Sequence, residues 1–228
     1  PQLLLCENET NVERLFGKPP TTPFPKDGIN DHVVHGAATV NPDGTGMRVY
    51  GSGIRNPVGL ALQPGTDIVW TAINERDQLG DDLVPDYATS VKDGGFYGWP
   101  YSYWGQNIDP RVMPQDAKKV ASAIVPDYGL GSHVAALGVA FSSPAMGAKF
   151  ADGVFVGEHG SWNRSPPSGY KVVFVPFHDG RPAGDPVDFV TGFRGDDGMT
   201  RGRPVGVSVD PRGALIVALA ALVAIAAG

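Results

Sequence analysis

The chain is short of cysteine, of long apolar runs and of positive charge. Its 228 residues include a single cysteine, Cys6, which excludes a framework of intrachain disulfides. That scarcity leaves the compartment open, because exported enzymes often lack disulfides. No basic segment followed by an apolar core opens the sequence, so no signal peptide is visible. The first residue is Pro and not Met, and this end is expected to be a cut one. No apolar run reaches the ~20 residues that a membrane-spanning helix needs, so no stable membrane span is expected. The net charge is -6. That balance gives no electrostatic footprint for nucleic acid or for an anionic membrane. Any anionic cofactor must then be met by a local basic cluster.

What is abundant is turn chemistry. There are 31 glycines and 21 prolines without a fixed period, and 42% of the residues are hydrophobic. Apolar runs of strand length alternate with loops rich in Gly, Pro, Asn and Asp, the pattern of antiparallel sheet. Residues 1–46 form an irregular, Pro-rich segment in which Pro19, Pro20, Pro23 and Pro25 block both helix and central strand. Thr39-Val40, a tight turn over 41–46 and Met47–Tyr50 read as a hairpin. Val58–Leu62, Ile68–Ile73, Val134–Phe141, Gly153–Gly157, Tyr170–Phe177, Val205–Val209 and Leu215–Ala218 read as strands, and Ala117–Ala123 as a short helical turn. Gly59-Leu60-Ala61-Leu62, Gly138-Val139-Ala140-Phe141 and Gly206-Val207-Ser208-Val209 share a Gly-apolar-small-apolar pattern. Their starts lie 79 and 68 residues apart, wider than a propeller blade of about 40–50 residues. The spacing suggests one and a half to two blades per interval. Residues 47–218 are expected to form the β domain. Residues 219–228 continue an Ala-rich apolar run that breaks the pattern, and they are expected to be a frame-shift or truncation artefact.

Three pieces of the stretch from Tyr50 to Gln106 carry chemistry on loops. Gly53-Ile54-Arg55-Asn56-Pro57-Val58-Gly59-Leu60 holds an Arg-Asn pair. Asn74-Glu75-Arg76-Asp77-Gln78-Leu79-Gly80-Asp81-Asp82 is an acidic cluster, and Gly94-Gly95-Phe96-Tyr97-Gly98-Trp99-Pro100 is an aromatic-Gly segment. Their bland readings are a loop Arg capping carbonyls and a solvated acidic turn. Asp77, Asp81 and Asp82 invite Ca²⁺, which takes six to eight oxygens, but the spacing is not that of an EF-hand. Arg201 and Arg203, two apart in an extended segment, point to one face and make a candidate basic clamp. Glu158-His159-Gly160-Ser161-Trp162-Asn163-Arg164 follows a strand.

Together these pieces resemble the glucose/sorbosone dehydrogenase family, soluble sugar dehydrogenases that use pyrroloquinoline quinone (PQQ). The order and spacing of the three motifs match over roughly residues 45–218, and the sorbosone branch resembles the chain best. The resemblance implies an all-β, six-bladed β-propeller, here incomplete, with four to five blades' worth of chain. It implies a quinoprotein that oxidises an aldose or sorbosone-type sugar by hydride transfer to PQQ, with Ca²⁺ polarising the quinone. Arg55, Asn56, His133, Arg201 and Arg203 are then the cofactor contacts, with the Arg pair opposite Arg55. Main-chain carbonyls of Asp77 and Gln78 hold the metal, and His159, Trp162 and Arg164 line the sugar site. For His133, a lone loop histidine, a structural role is the alternative. Val58 stands where the glucose-oxidising branch has Gln, one polar cofactor contact fewer. The partners implied are a sugar and a soluble or membrane-bound electron acceptor, and the expected location is periplasmic or extracellular.

The family's proton-abstracting His lies well upstream of the Arg-Asn loop and has no counterpart here. His32 and His35 are the N-terminal candidates, and neither matches its position. The chain alone is therefore expected to oxidise sugar little or not at all. A non-catalytic propeller that binds sugar or protein is the second reading. A Ca²⁺-dependent propeller lactonase, with side-chain carboxylates around the metal, is the third.

Overall fold

A computed structural model describes residues 3–6 and 36–220. The chain runs β1 (Leu3–Cys6), β2 (Gly36–Val40), β3 (Arg48–Ser52), β4 (Asn56–Leu62), β5 (Val69–Asn74) and β6 (Pro85–Val91). Short strands β7 (Gly95–Phe96), β8 (Ser102–Tyr103) and β9 (Asn107–Ile108) precede helix α1 (Ala117–Ser122). Then come β10 (Tyr128–Ser132), β11 (Ala136–Phe141), β12 (Gly153–Glu158), β13 (Lys171–His178), β14 (Arg181–Pro182) and β15 (Val187–Val190). The described chain closes with β16 (Arg203–Val209) and β17 (Leu215–Ala220). Histidines 32 and 35, and the tail beyond Ala220, lie outside the described residues. Leu219 and Ala220 continue β17, opposite Pro204 and Arg203.

The chain divides into two compact units. Unit 1 is Pro1–Pro57 with Val91–Val125, and unit 2 is Val58–Ser90 with Pro126–Gly228. In unit 1, β2 pairs antiparallel with β1 and β3, and β3 pairs parallel with β7. The aromatic-Gly segment is zipped along β3: Gly94 N–H donates to Tyr50 O, Tyr97 N–H to Ser52 O and Trp99 N–H to Gly53 O. Gly53 has φ +69°, and a Cβ there would stand 2.4 Å from the Phe96 ring. Only glycine allows that approach. Helix α1 is one short turn and a half, started by Asp116, whose carboxylate accepts from Lys118 N and Lys119 N at 3.0 Å.

Unit 2 holds a four-stranded sheet, a five-stranded sheet and a strand pair, all antiparallel. Their orders are β10-β6-β5-β4, β11-β12-β13 with β14 and β15 both on β13, and β16-β17. Strands β5 and β12 are buried along nearly their whole length, which is why they read as continuous apolar runs. Period-2 alternation sorts β12 and β13 between two cores. Val154, Val156, Val173, Val175 and Phe177 pack with Trp70, Ala72, Ala88 and Leu130 on one side. Phe155, Val172 and Phe174 pack with Phe150, Phe189, Val207 and Val217 on the other. The β11–β13 sheet is thus covered on both faces, the condition of a propeller blade between neighbours.

The Gly-apolar-small-apolar repeat marks the first strand of each sheet, β4, β11 and β16. A Cβ on Gly59 would lie 2.6 Å from Val139 N and 2.7 Å from Leu137 O, and one on Gly138 would lie 2.5 Å from Val205 O. Consecutive inner strands therefore approach backbone to backbone, and the repeated glycine is the residue that lets them. This corrects the expected width of the repeat. Each interval is one sheet, lengthened between β6 and β10 by residues 92–127 and between β12 and β16 by the loops 159–170 and 191–202.

Candidate functional site

In unit 1 the fold brings together two of the three motifs. Arg55 lies over the ring of Trp99, 5.7 Å from its centroid, on the ladder described above. Asn56 is the first residue of β4.

In unit 2 the remaining candidates gather at one end of the sheets, the end where β11 and β16 begin. The acidic loop follows β5. Its Glu75 and Arg76 are scaffold: both are about 1% exposed, and Arg76 donates from Nε and its backbone N–H to Glu75 Oε2 at 2.9 and 2.8 Å. Asp86 anchors the loop to the next sheet, its carboxylate accepting from Glu75 N at 2.7 Å and Ala136 N at 3.2 Å. Burial pushes its pKa up to about 7 despite those bonds. Asp77 Oδ1 accepts from Asn163 Nδ2 at 2.8 Å and faces His133 Nδ1 at 3.7 Å. Gln78 is exposed and takes φ +68°, a sparsely populated conformation for a side-chain-bearing residue. His133 is 5% exposed and donates from Nε2 to Gly80 O at 2.8 Å. It ties the acidic loop to the start of β11.

The loop 159–170 is docked by main-chain bonds from His159 N to Ala135 O and from Gly160 N to Val134 O, each 2.9 Å. Gly160, at φ +98°, lies under Tyr170, whose ring a Cβ would meet at 2.5 Å. Tyr170 OH donates to Ser161 O at 2.5 Å and accepts from Arg203 Nη2 at 3.0 Å. Arg203 also donates to Gly160 O at 3.3 Å and stacks over the Tyr170 ring at 5.0 Å, while Arg194 approaches that ring at 5.4 Å. Arg203 Nε is buried and has no partner among the described residues. His159 is half-buried and donates from Nδ1 to Pro204 O at 3.2 Å. Burial, with the Arg203 charge, lowers its pKa against the effect of that bond.

Other expected contacts separate. Arg201 is exposed and pairs with Asp197 at 2.7 Å, so it does not share partners with Arg203. Arg164 is not free for a sugar: it donates to Asp81 O at 3.0 Å, Pro166 O at 2.5 Å and Asp82 Oδ1 at 3.2 Å. It fastens the 159–170 loop to the acidic loop. Trp162 is 72% exposed. Tyr170, Asn163 and Asp86 were missed in the sequence. Tyr170 read only as the start of a strand, and nothing in the pattern signals that its hydroxyl seats an arginine. Among the described residues no three His, Cys, Asp or Glu side chains group so as to hold a metal.

The sequence profile of the Glucose / Sorbosone dehydrogenase family matches residues 29–160, and a TrAA12-like profile matches 103–220. The chain belongs to the glucose/sorbosone dehydrogenase family. It is 44% identical to the pyrroloquinoline quinone-dependent pyranose dehydrogenase of Coprinopsis cinerea over 57% of this chain and 21% of that one. It is 27% identical to the aldose sugar dehydrogenase YliI of Escherichia coli over 52% of this chain and 30% of that one. The calcium structure of the Trichoderma reesei carbohydrate-active enzyme of family AA12 superposes with TM-score 0.66 at 19% identity, over 81% of this chain and 56% of that one. The fold is the all-β propeller fold of these dehydrogenases. The chain spans between about a fifth and two-fifths of the length of the curated relatives it matches.

Proposed function

We propose that the protein containing this chain is a PQQ-dependent sugar dehydrogenase, acting on an aldose or a sorbosone-type sugar, with Ca²⁺ as second cofactor. The observation that carries this reading is the basic centre on Tyr170 in an otherwise acidic chain. Arg203 is held by Gly160 O and Tyr170 OH, and its Nε makes no hydrogen bond among the described residues. A planar, permanently charged fork suits a polycarboxylate quinone. Arg194, across the same ring, adds a second positive charge. Arg55 and Asn56 keep the cofactor role that the family motif implies. The carbonyls of Asp77 and Gln78 are the candidate Ca²⁺ ligands, in a loop that His133 and Asn163 hold in shape. The exposed Trp162 offers a face for a sugar ring. When bound, PQQ would accept the two electrons that the sugar loses, while the chain's own residues bind, orient and shield. A periplasmic or extracellular site of action and a soluble or membrane-bound electron acceptor complete the proposal.

Calorimetric titration of the chain with PQQ, with and without Ca²⁺, tests it. Binding should require the metal. Arg203→Ala should weaken it by about 10–100-fold, since a hydrogen bond to a charged group contributes roughly 1.5–3 kcal/mol. Equal PQQ affinity with Ca²⁺ and with excess chelator would remove the metal assignment. No binding under either condition would remove the quinone.

A further inference from the structure

We infer that unit 2 carries a second binding site, at the end of the sheets opposite Tyr170, for a small primary ammonium ion with an apolar body. A cavity of about 380 Å³ opens there between the sheet of β4, β5 and β6 and the sheet of β11, β12 and β13. Its wall comes from three connections: Gln63 to Thr66 after β4, Ser142 to Asp152 between β11 and β12, and Gly180 in the β13–β14 hairpin. Backbone bonds pin the first two, from Thr66 N to Gln63 O, Gly147 N to Pro144 O and Phe177 N to Asp152 O. Gln63 ties the first to the third, accepting from Trp70 Nε1 at 2.9 Å and donating from Nε2 to Gly180 O at 3.0 Å. The hollow is therefore preformed, as small-ligand sites usually are, and it falls within their size range of about 300–1,000 Å³. It shares no residue with the candidate cofactor site and stands independently of the dehydrogenase reading.

The lining selects its ligand by what the polar groups have left to offer. None of the lining residues is basic, and the one charge among them is Asp152. That carboxylate is exposed and has no hydrogen-bond or ion-pair partner among the described residues. Ser142, 7% exposed, spends its hydroxyl proton on Gly153 O at 3.1 Å, so its oxygen can only accept. Thr66 likewise donates to Gln63 O at 3.0 Å. Gln63 keeps one Nε2–H. Three acceptors thus stand against one donor, and an anion finds no counter-charge. An ammonium group brings three N–H donors and a positive charge, which complements that set. Pro64, Phe141, Pro144 and Ala151 supply apolar surface for its stem. A neutral sugar, whose hydroxyls donate and accept alike, complements it less well.

Nitrogen-15 NMR of the labelled chain, titrated with benzylamine, benzyl alcohol and benzoate, tests the site. Benzylamine should move the Gln63 side-chain amide and the backbone amides of Ser142, Asp152 and Gly180. Benzoate should move none of them. Because Asp152 is exposed, its charge should favour benzylamine over benzyl alcohol by only about two- to fivefold, and Asp152→Asn should erase that preference without weakening the alcohol. Ala151→Trp, which puts bulk into the cavity, should abolish binding of both. At a benzylamine concentration ten times its Kd, the melting temperature should rise by about 3–6 °C, and Ala151→Trp should remove the rise. If Ala151→Trp does not fold, Asp152→Asn decides alone. Absence of these shifts, shifts scattered over the surface, equal affinity for amine and alcohol, or an Asp152→Asn variant that keeps the preference overturns the inference. So does glucose moving the same signals at lower concentration than benzylamine, which would make the cavity a sugar site.

Discussion

The two ends of the unit 2 sheets are built differently from the same strands. At the end where β11 leaves Phe141 and β12 enters at Gly153, the filling is aromatic and one connection is a tight turn. Asp179 and Gly180, both at positive φ, close β13 onto β14 in a two-residue hairpin of the kind that Asp-Gly favours. Trp70, Phe141 and Phe177 meet edge to face at centroid distances of 5.1–6.3 Å, and Gln63 joins Trp70 Nε1 to Gly180 O. At the opposite end the loops 75–84 and 159–170 are long and polar. There Gln78, His133, Ala135 and Tyr170 take positive φ, and Glu158 Oε2, Asn163 Oδ1 and Arg203 Nε are buried without partners among the described residues. Positive-φ residues and unmet buried polar groups on these loops are held in place by the surrounding structure. The aromatic end holds the blades together, and the polar end is held by them.

The largest effect expected from this contrast is on stability at the aromatic end. Phe177 is 7% exposed and touches both Trp70 and Phe141. Phe177→Ala should cost about 3–5 kcal/mol, as Phe-to-Ala changes in cores do, and leave PQQ affinity unchanged at a temperature where the variant is folded. Denaturant unfolding and calorimetry measure the two. Loss of PQQ affinity in the folded variant would mean that the ends are not separable in this way.

Most of the fold was legible because the turns announced themselves. Asn41-Pro42-Asp43-Gly44, Asp179-Gly180 and Asp210-Pro211-Arg212-Gly213 each sit where a hairpin turns. The repeat glycines were legible as a pattern but not as a width, since sequence spacing cannot separate a blade from a blade with an inserted excursion such as 92–127. Side-chain identity alone marks Arg203 and His159 as candidates, and the structure sets them on neighbouring segments, His159 Nδ1 donating to Pro204 O. The site was illegible where a partner decides the role. Arg164 reads as a ligand contact until Asp81 and Asp82, more than eighty residues earlier, turn out to occupy it, and Tyr170 gains its function from an arginine on another strand.

A smaller effect concerns pH at the polar end. Glu158, 1% exposed, has its pKa pushed up to about 8, first by burial and then by Asp188 and Asp86, against the opposing charge of Lys171. In the folded chain it holds a proton that the unfolded chain has already lost above its ordinary value of 4.5. The folded state therefore binds more protons between those two values, and stability falls as pH rises from about 4.5 to about 8, then levels. Asp86, pushed up to about 7, adds in the same direction. Glu158→Gln should flatten the decline by about 3 kcal/mol, roughly 6–12 °C in Tm between pH 5 and pH 8.5. Thermal melts at the two pH values check this. An unchanged difference in the variant would show that Glu158 ionises freely in the folded chain.

The smallest effect is the one that tells a staple from a ligand contact. Arg164 ties Ser165 and Pro166 to Asp81 and Asp82, and Asp82 is 89% exposed, so the ion pair itself contributes little in water. The bonds to the Asp81 and Pro166 carbonyls do more, because they hold two loops in register at the polar end. Arg164→Ala should lower global stability by under about 1 kcal/mol while speeding amide exchange across residues 77–82 and 161–168. PQQ affinity should change less than in Arg203→Ala, and the Michaelis constant for sugar should rise only as far as Trp162 moves with its loop. If Arg164→Ala instead abolished sugar saturation and left exchange in both loops untouched, the guanidinium would be a substrate contact, as its place in the His-Gly-Ser-Trp-Asn-Arg motif first implied.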